Sequence, residues 1–281
     1  MVTKRSKRNK QRKRMRKRTR KQRGGAPELT YTCDEQPEVK VFTSSDRMEP
    51  TLEALLQSLK RHKYSYEVLG FGKPWKGFET KIENYMDGIE RYTAEKGPEA
   101  LAIFVDAFDV LCIKDSDKLL QTYRAKPRAM PVVFGGEIAC FSNCHKDVMN
   151  WYTTHSVAGG RAEIEKTLRP VNNGKDYLST QPVFMNTGFI MGPIGKLKEI
   201  FTEISKVPYE EDDQYTAGKW AIENLDRFDI NIEEDMIRNK LIPREKLPDE
   251  DGTQGPAFVH FPGSRSKDQQ HENIIRYSSY Q

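Results

Sequence analysis

Two aspartates, Asp106 and Asp109, follow directly on the apolar run Leu101 to Val105 in the segment LAIFVDAFDVLCI. A continuous apolar run of this length is typical of a buried strand in the middle of a parallel sheet. Two carboxylates three residues apart converge on a cation if the chain turns after the strand, and hard divalent ions prefer oxygen ligands. Aspartates in such positions also cap helices and turns. The motif alone therefore leaves a metal site and a structural cap as alternatives.

Hydroxyl side chains end the first predicted strand, Val39 to Thr43. Thr43, Ser44 and Ser45 stand where an α/β sheet places a nucleotide base or phosphate, at the carboxyl end of the strand. The same residues would also suit the N-terminal cap of a helix that begins near Glu49. Both interpretations are open from the sequence.

A histidine closes the last predicted strand. His260 could supply a nitrogen ligand, although a histidine at a strand end is also commonly structural. The segment FPGSRSK follows it and has the composition of an anion-binding turn, with Gly263, Ser264, Arg265 and Lys267.

Two further motifs carry polar groups that could meet sugar hydroxyls or act as a base. Asn186 and Thr187 precede a glycine in FMNTGFIMGP. Asp212 and Asp213 open a predicted helix in EEDDQYT. Acids there also suit the positive end of a helix dipole.

These motifs depend on strands and helices that alternate along the chain. The pattern predicts strands at 39–43, 66–70, 101–105 and 131–134, with helices at 49–62, 79–95 and 117–124. The second half predicts a strand at 184–191, helices at 197–204 and 212–225, and late strands at 228–232 and 257–260 that complete a mixed sheet. This alternation favours an open α/β sheet with its ligand site at the carboxyl ends of the strands.

The charges are divided between two parts of the chain. Residues 1–25 contain 14 Lys and Arg and no acid, whereas the remainder carries a net charge of −9. The basic tail is expected to be disordered in isolation and to bind nucleic acid, an anionic membrane or an acidic partner, or to act as a nuclear address. A solubilising extension is the alternative. We expect a linker at 26–38, one domain at 39–270 and a C-terminal tail at 271–281.

The apolar segments are too short for a membrane span, which needs about 20 residues. The basic N-terminus lacks the apolar segment of a signal peptide. Four cysteines are too few for a disulfide scaffold, and Cys140 and Cys144 have no second pair to complete a zinc site. These features predict a cytoplasmic or virion-associated protein.

Seven motifs in this order resemble the glycosyltransferase domain of the multifunctional procollagen lysyl hydroxylases and their viral relatives. They span 39–267 and read VFTSSD, VLGFGKPWKG, FVDAFDV, VVFGGEIACF, FMNTGFIMGP, DDQYT and HFPGSRSK. The resemblance implies a GT-A type nucleotide-sugar fold, manganese, and transfer from UDP-glucose or UDP-galactose. It further implies hydroxylysine or galactosyl-hydroxylysine of a collagen-like chain as the acceptor.

The resemblance also assigns roles to individual positions. It implies that Asp106, Asp109 and His260 bind the metal and that Asp212, Asp213 and Asn186 are catalytic. The implied nucleotide-sugar contacts are Thr43, Ser44, Ser45, Trp75, Lys81, Asp106, Gly263, Ser264 and Lys267.

Several positions depart from the family pattern. The turn after His260 is one residue longer, and Phe141 replaces a frequent tryptophan in the loop that also holds Glu137 and Cys140. No iron-binding hydroxylase half is recognisable, so we expect a stand-alone transferase. A nucleic-acid or virion-interaction protein that acts through its tail, with an inactive transferase-like body, is the competing hypothesis. The two hypotheses differ in whether the metal site is retained.

Overall fold

The computed structural model describes residues 29–33, 38–125, 130–140, 169–171, 176–208, 213–224, 226–239, 255–262 and 274–275. The strands there are β1 (Leu29–Tyr31), β2 (Val39–Ser44), β3 (Ser65–Leu69), β4 (Leu101–Val105), β5 (Val110–Cys112), β6 (Val133–Glu137), β7 (Ala139–Cys140), β8 (Arg169–Val171), β9 (Asp176–Leu178), β10 (Phe184–Pro193), β11 (Asp229–Asn231), β12 (Ile237–Asn239) and β13 (Phe258–His260). The helices are α1 (Pro50–Arg61), α2 (Phe78–Lys96), α3 (Ser116–Ala125), α4 (Ile194–Ile204) and α5 (Asp213–Ile222).

The main sheet has seven strands in the order β1-β3-β2-β4-β10-β6-β11. Strands β3, β2 and β4 are parallel, β10 is antiparallel to both β4 and β6, and β11 is parallel to β6. The pairs Thr43↔Val105 and Ser44↔Leu69 align the carboxyl ends of three strands at one edge. The predicted α/β class with a mixed, mostly parallel sheet is confirmed.

Helices cover both faces of this sheet because alternate strand residues point to opposite sides. On one face, Phe42 and Phe104 pack with helices α2, α4 and α5. On the other face, Val41 and Ile103 pack with α1 and α3. Each fully buried side chain of this size contributes about 1.5–3 kcal/mol. The two apolar layers therefore fix the strands whose ends carry the candidate site.

A second sheet of three strands lies in the order β12-β13-β5. The predicted strand 257–260 corresponds to β13, which pairs with β12 and β5 and not with the main sheet. The expectation that both late strands complete one mixed sheet is therefore wrong for β13 and correct for β11. A third small sheet has the order β7-β9-β8.

Several boundaries differ from the prediction for physical reasons. Strand β10 extends to Pro193 because its residues from Phe189 onward pair with the whole of β4, up to the pair Pro193↔Leu101. Strand β1 lies inside the segment expected to be a linker, where it pairs with β3 at the edge of the main sheet. Helix α1 begins after Glu49, which makes no side-chain capping bond, so the expected hydroxyl cap is not used. No helix in the described part of the chain is long and apolar enough to cross a membrane.

Candidate active site

Two sheets meet at a cluster of three ionisable side chains. Asp106 follows β4, Asp109 precedes β5, and His260 ends β13. The pairing of β5 with β13 aligns His260 with Val110, and the backbone N–H of Phe261 donates to the carbonyl of Asp109 at 2.8 Å. The carboxylate oxygens and an imidazole nitrogen lie within 4.8 Å of one another. The structure therefore brings together the three residues that the sequence assigned to a metal.

The cluster is largely shielded from water. His260 Nε2 lies 3.3 Å from Asp109 Oδ2 and 3.7 Å from Asp106 Oδ2, and the histidine side chain is 3% exposed. Burial lowers the pKa of His260, but the two aspartates outweigh burial and hold that pKa above its ordinary value. Apart from these two carboxylates, Nε2 has no hydrogen-bond partner among the described residues. A buried nitrogen that faces two carboxylates is suited to binding a cation.

Lys81 in the first turns of α2 contacts this cluster from the other side. Its Nζ donates to Asp106 Oδ1 at 2.5 Å and also contacts Asp213 Oδ2. Burial lowers the pKa of Lys81, but Asp106 and Asp213 outweigh burial and hold that pKa well above the ordinary value. The ammonium therefore stays charged and occupies one oxygen of Asp106. The other oxygen, Oδ2, faces His260.

Asn186 on β10 is the centre of a neighbouring polar network. Its Nδ2 donates to Glu137 Oε2 at 2.8 Å and to Gln214 Oε1 at 3.1 Å. Its Oδ1 accepts from the backbone N–H of Gly188 at 2.8 Å. Burial raises the pKa of Glu137, and the hydrogen bond from Asn186 offsets part of that rise. Asn186 thus holds the buried Glu137 carboxyl in place. The next residue on the same strand, Thr187, donates a hydrogen bond to Asp213.

The three hydroxyl side chains at the end of β2 differ in whether the protein already uses them in hydrogen bonds. Ser45 Oγ bonds to the backbone of its own turn, as donor to the Arg47 carbonyl and acceptor from the Arg47 N–H. Ser44 Oγ accepts from Asn84 Nδ2 at 2.9 Å. Thr43 Oγ1 is buried without a hydrogen-bond partner in the described residues. Trp75 is 38% exposed and packs edge-on against Phe78, at the start of the helix that carries Lys81.

Comparison with known proteins connects this arrangement to a family. Residues 35–155 match the PLOD GT domain. This stretch is similar to the PLOD glycosyltransferase domain. The chain is also 27% identical over 217 residues to a multifunctional procollagen lysine hydroxylase and glycosyltransferase of Caenorhabditis elegans. That match covers 74% of this chain and 26% of the worm protein, so the chain spans about a quarter of that relative's length.

A solved structure supports the fold of the chain. The structure of a glycosyltransferase involved in glycosylation of the major capsid of PBCV-1 matches with a TM-score of 0.50 at 12% identity, over 85% of this chain and 98% of that one. The resemblance that the motifs predicted is confirmed, and so is the GT-A fold. The fold is that of the GT-A glycosyltransferases, and residues 35–155 are similar to the PLOD GT domain.

Some of the residues assigned through the PLOD resemblance lie outside the described part of the chain. They are Asp212, Gly263, Ser264 and Lys267, together with Arg265, Phe141 and the tail 1–25. Three residues near the site were not singled out from the sequence, namely Gly188, Gln214 and Asn239. Gln214 stands inside the DDQYT motif, and Gly188 inside FMNTGFIMGP. Asn239 lies on a three-residue strand that no periodicity could have indicated.

The Lys81 contacts yield a stability prediction. Lys81→Met keeps most of the side-chain volume and leaves Asp106 and Asp213 without their shared cation. In EDTA we expect the free energy of unfolding to fall by roughly 3 kcal/mol, because a buried charge that loses its partner is uncompensated. Added Mn²⁺ should restore more stability to this variant than to the wild type, since the ion then neutralises Asp106. Denaturant unfolding with and without Mn²⁺ measures both effects.

Lys40→Met is the matched control. Lys40 Nζ pairs with Glu67 Oε2 at 2.5 Å on the β2–β3 pair, and neither residue belongs to the cluster. This variant should lose stability without a changed response to Mn²⁺. An equal Mn²⁺ response in the two variants would contradict the assigned role of Lys81.

Proposed function

We propose that this domain transfers glucose or galactose from a UDP-sugar to a hydroxyl group in a reaction that depends on a divalent cation. The acceptor is hydroxylysine or galactosyl-hydroxylysine of a collagen-like chain. The observation that carries the proposal is the cluster of Asp106, Asp109 and His260 at the carboxyl edge of β4. The relationship to the PLOD glycosyltransferase domain supports the reaction class and the donor.

The donor set suits manganese. Asp106 and Asp109 offer carboxylate oxygens, and His260 offers a nitrogen that has no other partner in the described residues. Mixed oxygen and imidazole ligation is acceptable to Mn²⁺, whereas Mg²⁺ and Ca²⁺ favour oxygen alone. When bound, such an ion offsets the negative charge on the departing diphosphate. The net negative body makes this compensation necessary, because it would otherwise repel the diphosphate.

The transfer forms a bond between the acceptor oxygen and C1 of the sugar and breaks the bond from C1 to the β-phosphate oxygen. UDP leaves with the bonding electrons, and the hydroxyl proton passes to the phosphate of the departing UDP. Lys81 and Thr187 hold the Asp213 carboxylate, which we assign to orienting the acceptor hydroxyl. Asp212 is proposed to act beside it. Asn186 holds Glu137 on the same side, and we assign this pair to hydrogen bonds with the sugar or acceptor.

The remaining proposed contacts bind the donor nucleotide. Thr43 has a buried hydroxyl without a protein partner in the described residues, which suits a hydrogen bond to the nucleotide. Trp75 offers an exposed aromatic ring, which we assign to contact with the nucleotide base. The proposed diphosphate contacts are Gly263, Ser264 and Lys267. Ser44 and Ser45 are proposed to lie beside the nucleotide, where the Ser45 hydroxyl holds its own turn.

Donor hydrolysis tests the reaction class. The full chain is incubated with Mn²⁺ and, in separate reactions, the UDP derivatives of glucose, galactose, glucuronic acid and N-acetylated hexosamines. Release of UDP is then measured. We expect one neutral hexose to be preferred and EDTA to stop the release. Release that is insensitive to EDTA, or no release from any donor, would count against the proposal.

The acceptor is tested with collagen-like peptides that differ in one residue. A peptide with hydroxylysine and one with galactosyl-hydroxylysine are compared with the same peptide carrying lysine. Mass spectrometry should detect one added hexose on one of the first two and none on the lysine peptide. Equal labelling of all three would contradict the assigned acceptor.

A further inference from the structure

The two ring nitrogens of His260 face different kinds of group. Nε2 faces the carboxylates of Asp109 and Asp106. Nδ1 lies 2.7 Å from Asn239 Oδ1. His260 is 2% exposed and Asn239 is 6% exposed, so water does not compete freely for this contact. Asn239 is therefore placed to control the proton on the opposite side of the ring from the cluster.

The orientation of the Asn239 amide is fixed by the main sheet. Its Nδ2 donates to the backbone carbonyl of Gly136 on β6 at 2.6 Å. If the amide were turned over, its oxygen would face the oxygen of Gly136, and two acceptors would meet. The atom that faces His260 is therefore Oδ1, which can only accept, so the hydrogen of the imidazole resides on Nδ1.

The backbone at Gly136 is held in place by close packing. A Cβ at this position would lie 2.4 Å from the Pro182 carbonyl oxygen and 2.8 Å from the Asn231 carbonyl oxygen. The backbone of β6 is thus closely packed against two other segments. Asn239 and His260 are paired positions of β12 and β13. A continuous connection runs from β6 through Asn239 to His260, and it joins the two sheets.

A neutral imidazole that carries its hydrogen on Nδ1 has its lone pair on Nε2. We propose that Asn239 is a positioning residue that holds His260 in this tautomer and so presents the Nε2 lone pair to the cation shared with Asp106 and Asp109. This inference rests on the cation site of the proposed function. Outer hydrogen bonds to metal-binding histidines orient the ring and raise its basicity.

Direct Mn²⁺ binding tests the role of Asn239 without any nucleotide or catalysis. The electron paramagnetic resonance signal of free Mn²⁺ is titrated with full-length wild type, Asn239→Leu and Asn239→Asp. Asn239→Leu removes the acceptor and is expected to weaken binding by about 10- to 100-fold. Asn239→Asp keeps an acceptor for the Nδ1 hydrogen but loses the bond to the Gly136 carbonyl, so its affinity should fall less than that of Asn239→Leu.

Asn231→Ala is the control for a loss of stability alone. Asn231 is fully buried, and its Oδ1 accepts from the backbone N–H groups of Met236 and Ile237 at the start of β12. It should lower the melting temperature but leave Mn²⁺ affinity unchanged. Melting temperatures of all variants are recorded on the same samples.

A spectroscopic measurement follows the tautomer itself. In protein labelled with ¹⁵N-histidine and loaded with diamagnetic Zn²⁺, the Nδ1–H signal of His260 should be slow to exchange in the wild type and in Asn239→Asp. In Asn239→Leu it should exchange rapidly.

The outcomes separate the two proposals. If the wild type binds Mn²⁺ and Asn239→Leu binds equally well, or if Asn239→Asp or Asn231→Ala loses as much affinity as Asn239→Leu, the role of Asn239 is refuted and the cation site stands. If the wild type binds no Mn²⁺, the cation site of the proposed function is refuted, and the role of Asn239 with it.

Discussion

Asp109→Asn is expected to abolish Mn²⁺-dependent sugar transfer and the joint stabilisation of the protein by Mn²⁺ and UDP. The amide has nearly the shape of the carboxylate but lacks the negative charge that faces His260 Nε2 at 3.3 Å. Metal coordination is worth several kcal/mol of charge stabilisation, so we expect the rate to fall by about 10³-fold or more. UDP release and melting temperatures with Mn²⁺, UDP or both measure the effect.

Asp87→Asn makes the same chemical change on the surface. The Asp87 side chain is 63% exposed on α2 and lies 3.6 Å from Lys73. This control should retain wild-type transfer and wild-type stabilisation. If Mn²⁺ and UDP raised the melting temperature of Asp109→Asn as much as that of the wild type, the assignment of the metal site would be wrong.

Gly188→Ala is expected to displace the histidine ligand. A Cβ at Gly188 would lie 2.3 Å from Cε1 and 2.6 Å from Nδ1 of His260, closer than atoms can approach. The ring is packed on its other sides, so it has little room to move away. We expect a loss of stability of about 1–3 kcal/mol and at least a tenfold loss of Mn²⁺ affinity. Denaturant unfolding and Mn²⁺ titration measure the two effects.

Gly218→Ala is the matched control for a glycine replacement. A Cβ at Gly218, in the middle of α5, has nothing within 4 Å. Alanine is favoured over glycine in a helix by up to about 1 kcal/mol, so this variant should be slightly more stable and bind Mn²⁺ normally. Normal Mn²⁺ binding by Gly188→Ala would show that the ring accommodates the methyl group and would contradict the predicted displacement.

The longer elements of this fold were predictable because each buries a face with a clear period. Helix α1 carries leucines at 52, 55, 56 and 59, and α2 repeats the pattern, so both were predicted to within two residues. The continuous apolar run of β4 was predicted at its observed bounds. Strands β5 and β12 have three residues each, which is too few for a period to be recognised. Their pairing with β13 depends on contacts distant in sequence.

Residue type alone left a structural role open for Asp106, Asp109 and His260, and the family resemblance assigned them together to a metal. Carboxylates at a strand end and a histidine before a turn stand out by type, and the structure brings Asp106, Asp109 and His260 together. The sequence did not indicate that the Ser45 hydroxyl bonds to the backbone of the adjacent turn. Gly188 lies against the His260 ring, and Asn239 bonds to it, only after two sheets have packed.

Strand β13 has a consequence for the order in which the protein becomes competent during synthesis. It supplies the imidazole of the proposed cation site and is also the partner of β5, next to Asp109. His260 and Asp106 are separated by more than half of the chain. The long segment between them must therefore fold back before the two side chains can come into contact. The main sheet strands β2, β3 and β4 are translated long before β13. A nascent chain that has folded these strands therefore still lacks His260, and the proposed cation site is complete only after β13 has been made.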